Sequence, residues 1–451
     1  MSSAIAERLT KVLIAQYLSK KNYDGTLQHF LKEAGLGRSV LELGREVFED
    51  IETIVSERIE FNEHQITARL AQTSLNDSID AVGQRFYLPS WDHTLQLQAL
   101  QFSLRPRALA VDLQLSEDSR LTISTADKHV YFYNGDQDLQ REMTLKSGVV
   151  RRCGALPNRA ATLYYYTCGM DGTLTIYNDA FQVRLQHKIH SRIVKNIEFF
   201  QMGPKPQYLC FSVGLDNYLK VHFIDIESFE VSFQDERKFQ SACTSFQLAK
   251  NVEQQPVLLF TQQDHSLLYA VVWHEGALVE YCKLALNSAK FSSHAFNVLS
   301  SCLLDLKPPT DNSSNASNHH LVTLQEGSIV AIATSHTPYM RLVLLEVPEI
   351  SITDFQTGSG TKIHYDKIIR NIATSVPQDS FSQSIIKSCH RSRGVLVGSD
   401  SGIYAIDVSN CDSWPLLKNT QRVKALDSLH DRIAVGFADR TIELLQWYPS
   451  T

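Results

Sequence analysis

At four places in this chain a cation directly follows an apolar residue inside a short apolar run. VVRRCGAL, IVKNIEFF, IIKSCHRS and VKALDSL carry Arg151, Lys195, Lys387 and Lys424 there, and RPRALAV puts Arg107 in a similar place. A fixed cation can pair with a carboxylate or take up an anionic ligand, Arg through two parallel N–H donors and Lys as a point charge. The other residues able to do chemistry are spaced less usefully. Cys153, Cys168, Cys210, Cys243, Cys282, Cys302, Cys389 and Cys411 include no CxxC pair and no His partner at zinc-ligand spacing, so they read as reduced thiols and no metal is expected. His319 and His320 lie in a polar stretch and read as solvated. GSGTK, from Gly358 to Lys362, lacks the spacing and the Lys-then-Ser/Thr order of a phosphate loop. With no nucleophile beside a base and no paired acids, neither a cofactor nor an enzymatic activity is expected.

For those cations to act together the fold must gather them, and internal repetition supplies the means. After residue 100 the segments STADKHVYFYN, CGMDGTLTIYN, VGLDNYLKVHF, TQQDHSLLYAV, TLQEGSIVAIA, VGSDSGIYAID and FADRTIELLQW align on Asp127, Asp171, Asp216, Asp264, Glu326, Asp400 and Asp439. Apolar residues recur three and five places after each anchor, so each unit reads as a tight turn followed by a strand with one buried face. The first four anchors are spaced 44, 45 and 48 residues apart, the period of four short strands per blade. The fold class is therefore mainly β: a seven-bladed propeller over residues 90–451, preceded by a small all-α segment. The 136 residues from Asp264 to Asp400 leave room for an eighth blade. They also leave open a second register, in which ATSHTPYMRLVLLEV is the hairpin of blade 5. Insertions are expected near 308–320, which is rich in Asn, Ser and Pro, and at 351–382. Only four residues follow Trp447, so the ring needs a strand from elsewhere, and TLQLQALQF at 94–102 is the natural donor. In this arrangement the five cations fall at one mouth of the central channel. Two uses stay open for them there: pairing with carboxylates in a wet channel, or capture of an acidic or phosphorylated peptide.

At the N-terminus, apolar residues at Leu9, Val12, Leu13, Tyr17 and Leu18 place one stripe on a helix over 4–20. A second helix fits 24–34, with Asp24 as its cap, Leu27, Phe30 and Leu31 on its buried face, and Gly35 at its end. The stretch LTKVLIAQYLSKKNYDGTLQHFLKEAGL resembles the LisH motif at Leu13, Ile14, Tyr17, Leu18, Tyr23, Thr26, Phe30 and Glu33. The resemblance implies a helical dimer over residues 1–38 at the matched positions, and with Leu9 and Leu27 from the two apolar faces the expected dimerisation set is Leu9, Leu13, Ile14, Tyr17, Leu18, Tyr23, Leu27 and Phe30, although the same residues could instead cap the propeller. Residues 39–75 read as a helical extension or linker. Over 90–450 the repeats are similar to the WD-repeat family in period and turn rather than in signature. The terminal Trp-Asp appears as Tyr133-Asn134, Tyr177-Asn178 and Ile406-Asp407, and the characteristic His survives as His190, so the family's hydrogen-bond tetrad should be incomplete in every blade.

A net charge of -6 gives no nucleic-acid footprint, and no run approaches the length of a membrane span. The expected location is cytoplasm, nucleus or both. The resemblance implies a non-enzymatic homodimeric scaffold that presents its propeller to other proteins in a regulatory complex. A substrate receptor of a ubiquitin ligase is the alternative, and a propeller hydrolase or lyase a more remote one.

Overall fold

Each Asp-centred turn forces a hairpin, and the hairpins build sheets. Asp171 accepts from the Thr173 N–H at 3.1 Å, Asp439 accepts from the Thr441 N–H at 2.9 Å, and the next residue takes positive φ at Lys128, Gly172, Asn217 and Arg440. The computed structural model describes residues 2–41, 51–52, 55, 88–100, 108–145, 148–157, 163–287, 296–304, 321–351, 362–389 and 391–449. The chain divides into a unit over 1–78 and a unit over 79–451.

The larger unit is a seven-bladed β-propeller. Its innermost strands are Ala110–Leu115, Val150–Ala155, Val194–Gln201, Cys243–Lys250, Val298–Leu304, Ile385–Cys389 and Val423–Leu429, defining blades 1 to 7. Each seam between neighbouring blades has its own apolar cluster, such as Tyr166, Cys168, Phe199 and Tyr208 between blades 2 and 3, and Leu259, Val272, Val330 and Val343 between blades 4 and 5. The core is thus a ring of seams around a polar channel. Blade 7 takes its outer strand, Leu95–Ala99, from before blade 1, with Leu97 opposite Trp447. Trp91 fixes the approach: it is buried edge-on to Trp414 and Trp447 at 5.3 and 5.9 Å, and its backbone N–H donates to Asp407 at 3.0 Å.

Blade 5 follows the second register. Its central hairpin joins Ser328–Thr334 to Tyr339–Val347 through Ser335–Pro338, so Glu326 lies before the second strand instead of in the turn. The confusion has a physical cause, because SIVAIAT alternates as a third strand would and Glu326-Gly327 mimics the turn that should precede one. Nor is 351–382 all insertion: Ile368–Pro377 is the outer strand of blade 5, and Lys362–His364 adds a parallel fifth strand to blade 4. The expected insertion at 308–320 lies outside the described residues.

In the N-terminal unit, helices Ser2–Lys20 and Asp24–Ala34 are followed by a 3-10 turn, Arg38–Leu41. Gly35 ends the second helix at φ 67. Its N-cap position belongs to Tyr23, with no side-chain cap, and Asp24 sits instead in the first turn, where a carboxylate favours the helix N-terminus. Val12, Ala15, Leu27, Leu31 and Val40 form the core, and Gln16 donates across it to the Val40 carbonyl at 2.9 Å. Glu52 pairs with Lys20 and Lys21 at 2.8 and 2.7 Å. Apart from residues 39–41, 51, 52 and 55, the segment 39–75 lies outside the described residues.

Candidate functional site

All seven innermost strands line one cavity of about 760 Å³ along the propeller axis. In blades 1, 2, 3, 4, 5 and 7 the innermost strand carries one extra residue just after its first: Val111, Arg151, Lys195, Thr244, Leu299 and Lys424. Such a bulge turns its side chain out of the ladder, and all six line the channel. Three of the cations singled out in the sequence therefore occupy equivalent positions. Lys387 does not, since it pairs in regular register with Leu396. Arg107 lies outside the described residues.

The channel walls are tied to each other by a closed ring of hydrogen bonds. Asp112 of blade 1 accepts from the Cys153 N–H at 3.1 Å and pairs with Arg152 at 2.7 Å, and Arg152 donates on to the Lys195 carbonyl at 2.8 Å. Lys195 reaches the Cys243 carbonyl of blade 4. Gln247 donates to the Ser301 carbonyl and accepts from the Leu303 N–H at 2.9 Å, and Ser300 Oγ accepts from the Ile386 N–H at 3.3 Å. Lys387 pairs with Asp427 at 2.8 Å, and Asp427 accepts from the Leu115 N–H of blade 1 at 2.8 Å, closing the circle.

Two of the four described cations are thus bound into this ring, and two stand clear of it. Burial works against the charge of Lys387, but Asp427 outweighs it and holds the pKa above the ordinary range. Burial pushes Lys195 down, and Arg151 and Arg152 nearby push it further. Arg151 and Lys424 are exposed and have no hydrogen-bond or ion-pair partner among the described residues. Burial within the channel, and then Arg152, lower the Arg151 pKa. The four described cations therefore do not form an uninterrupted arc, because Asp112, Glu198 and Asp427 are set among them. Burial pushes Glu198 up to about 7 against the pull of Lys387 and Arg152.

A Ser–His–Asp set also occurs, at the seam of blades 2 and 3. His190 Nδ1 lies 2.9 Å from Asp216 and Nε2 lies 3.0 Å from Ser212 Oγ. This spacing suits a nucleophile and its base, but Ser212 is fully buried. The set instead clamps the loop before blade 3 onto that blade's turn, and Gly214 leaves it room, since a Cβ there would stand 2.5 Å from His190 Nδ1. Blade 2 holds the complementary piece, Thr167 against Tyr177 at 3.3 Å. The implied tetrad is divided between blades. His222 stands where that family has its Trp, and burial pushes it down to about 4.

Two comparisons bear on this layout. The family described as UCP007778 matches with its LisH domain at residues 8–42 and its beta-propeller domain at residues 73–447. The chain belongs to this family. A Saccharomyces cerevisiae relative, "Uncharacterized protein YGR117C", is 28% identical over 457 residues, covering 94% of this chain and 91% of the relative.

The LisH positions of this family member divide into two sets. Leu27 is buried in the unit's own core, with Val12 and Ala15, which the expected dimerisation set leaves out. Leu13, Ile14, Tyr17, Leu18 and Phe30 are half-buried, while Leu9 and Tyr23 are 43% and 53% exposed. In the channel, reading the sequence at one alignment column missed Asp112, Arg152, Glu198, Gln247 and Asp427, which lie at different depths along their strands. Two exposed apolar residues were also missed, Met170 and Leu215. Their signal was legible, because each directly precedes an Asp anchor, where the turn itself asks for nothing apolar. No helix among the described residues is long and apolar enough to cross a membrane.

Proposed function

We propose that the protein is a non-enzymatic dimeric scaffold, whose N-terminal helices pair two chains and whose propellers are presented to partner proteins within a larger regulatory complex. The observation that carries this reading is an apolar stripe that the LisH helices' own core covers only in part, with Leu9 exposed, Tyr17 half-buried and Leu13 half-buried at the core's edge. Leu9, Leu13 and Tyr17 follow one another at four-residue steps on a single helix face. Among the described residues, two short helices enclose five buried side chains, far below the size at which a core is stable alone. Covering the stripe with a second copy supplies the missing burial, at roughly 1.5–3 kcal/mol for each large apolar side chain fully buried. Eight unpaired thiols suit a reducing compartment, cytoplasm or nucleus. The buried Ser212 supports a structural rather than a hydrolytic use of the Ser–His–Asp set.

The test is sedimentation of the full chain. The wild type should be a dimer at micromolar concentration, and replacing Leu13, Tyr17 and Phe30 together by Asp should give a monomer whose propeller melts as before. A monomeric wild type would sink the reading.

A further inference from the structure

The channel mouth where the innermost strands begin differs from the rest of the surface in both charge and apolarity. Arg151 and Lys424 stand there with no hydrogen-bond or ion-pair partner among the described residues, on blades 2 and 7, with blade 1 between them. Apolar side chains stand on the same face, and strand register shows why: Val150 pairs with Gly169 and Val194 with Gly214, so Met170 and Leu215 lie one residue beyond the strand ends that face these starts. They are 48% and 37% exposed. Phe381, in the loop entering blade 6, is 81% exposed, and its carbonyl is held by Arg422, just before the innermost strand of blade 7, at 3.4 Å. The opposite face, built from the other two turns of each blade, is rich in carboxylates such as Glu117, Asp118, Asp136, Asp138, Asp225 and Glu227. The mouth face has its own turn carboxylates, Asp127, Asp171, Asp216, Asp264, Asp400 and Asp439, but among the described residues cations such as Lys128, Arg192, Lys238, Arg422 and Arg440 stand beside them, so the far face is the more negative of the two.

We infer that this mouth is a docking site for an extended acidic segment of a partner protein, its carboxylates taken by Arg151 and Lys424 and its apolar side chains by Met170, Leu215 and Phe381. Charge complementarity selects the partner's sign: the acidic far face repels such a segment and the mouth attracts it, which steers encounter as well as affinity. Cations set on separate blades suit charges spread along a chain. One phosphate would need them gathered at a point. The apolar residues beside them favour a peptide over a free anion. Lys195 and Lys387 are excluded from this role because the channel ring uses them.

This inference rests on the scaffold reading, in which the propeller is the partner-binding part. Its test is selection of short random peptides displayed against the immobilised full chain. Peptides carrying several Asp or Glu among apolar residues should be enriched, should bind in a fluorescence titration with an affinity that falls as salt rises, and should lose about tenfold or more on Arg151→Gln/Lys424→Gln. Met170→Ser/Leu215→Ser should weaken the same peptides with less effect on the salt dependence. Both double variants should keep the wild-type melt; should one not, Arg151→Lys/Lys424→Arg must keep the binding. Enrichment without acidic excess, affinity surviving the neutralised pair, or much tighter binding of a phosphoserine version than of its Glu counterpart would each overturn the inference. Sedimentation of the same samples separates the two readings, because a dimer that binds no acidic peptide refutes the docking site alone.

Discussion

Glu198 is the residue whose behaviour in the channel follows most directly from its surroundings. Its carboxyl has no hydrogen-bond or ion-pair partner among the described residues, and burial raises its pKa from 4.5 to about 7. A folded pKa above the unfolded one means that the fold prefers the protonated acid. That preference contributes fully below the unfolded value and is lost as pH rises through about 7. Glu198→Gln should therefore be more stable than the wild type near pH 8 by roughly 1–2 kcal/mol, discounting the full shift for partial exposure, and should match it near pH 4. Thermal melts of both proteins across that range check this. A gain independent of pH would mean that the amide packs better and that ionisation is not the cause. The sequence hinted at little of this. IVKNIEFF shows Glu198 three residues beyond Lys195, but the cations that surround it, Arg152 of blade 2 and Lys387 of blade 6, lie 46 and 189 residues away, and only closure of the ring brings them together.

At the scale of the element, what the sequence made legible is the turn with an Asp in it. Six of seven hairpins have one, and their strands fall where period-two alternation puts them. Blade 5 was legible only as a second register because its turn, Ser335–Pro338, has no Asp to mark it, while the Glu326-Gly327 pair ahead of the second strand has the look of one. Loop length hid the rest, since the 62 and 74 residues between neighbouring anchors around Glu326 match no single blade. The closing strand was easier, because alternation in TLQLQALQF stands alone between the N-terminal helices and the first repeat. What fastens it was not visible. Trp91 belongs to no repeat, yet it fills the seam of blades 6 and 7 against Trp414 and Trp447, with its ring packed over Gly394. Trp91→Ala should cost about 3–5 kcal/mol in chemical denaturation, the range for emptying a large buried aromatic site. A cost under about 1 kcal/mol would show that Leu95–Ala99 pairs without this clamp.

At the scale of the whole molecule, the ring has two ways of holding seven blades together, and they differ in kind. Apolar seams are local, each joining two blades, whereas the channel's hydrogen bonds run through every blade and return to the first. Asp427 is the node at which that circuit closes, because one carboxylate oxygen holds Lys387 of blade 6 and the other holds the Leu115 N–H of blade 1. Removing it leaves a backbone donor and an ammonium unpaired on either side of the same blade. A buried group that loses its partner costs more than the intact pair contributes. The Lys387 side chain is 40% exposed, so water recovers part of that loss. Asp427→Ala should therefore destabilise the propeller by about 2 kcal/mol, and Lys387→Met by less, since it leaves Asp427 with its backbone donor. In the double variant the unpaired ammonium is gone, so the combined cost should fall below the sum of the two by about 1 kcal/mol. Strict additivity in such a cycle would show that the two side chains do not couple, and that apolar seams alone close the circle. Because every blade belongs to the circuit, each of these variants should still unfold in a single transition. An early, separate loss of blade 7 in Asp427→Ala would instead identify this node as the point where the ring opens.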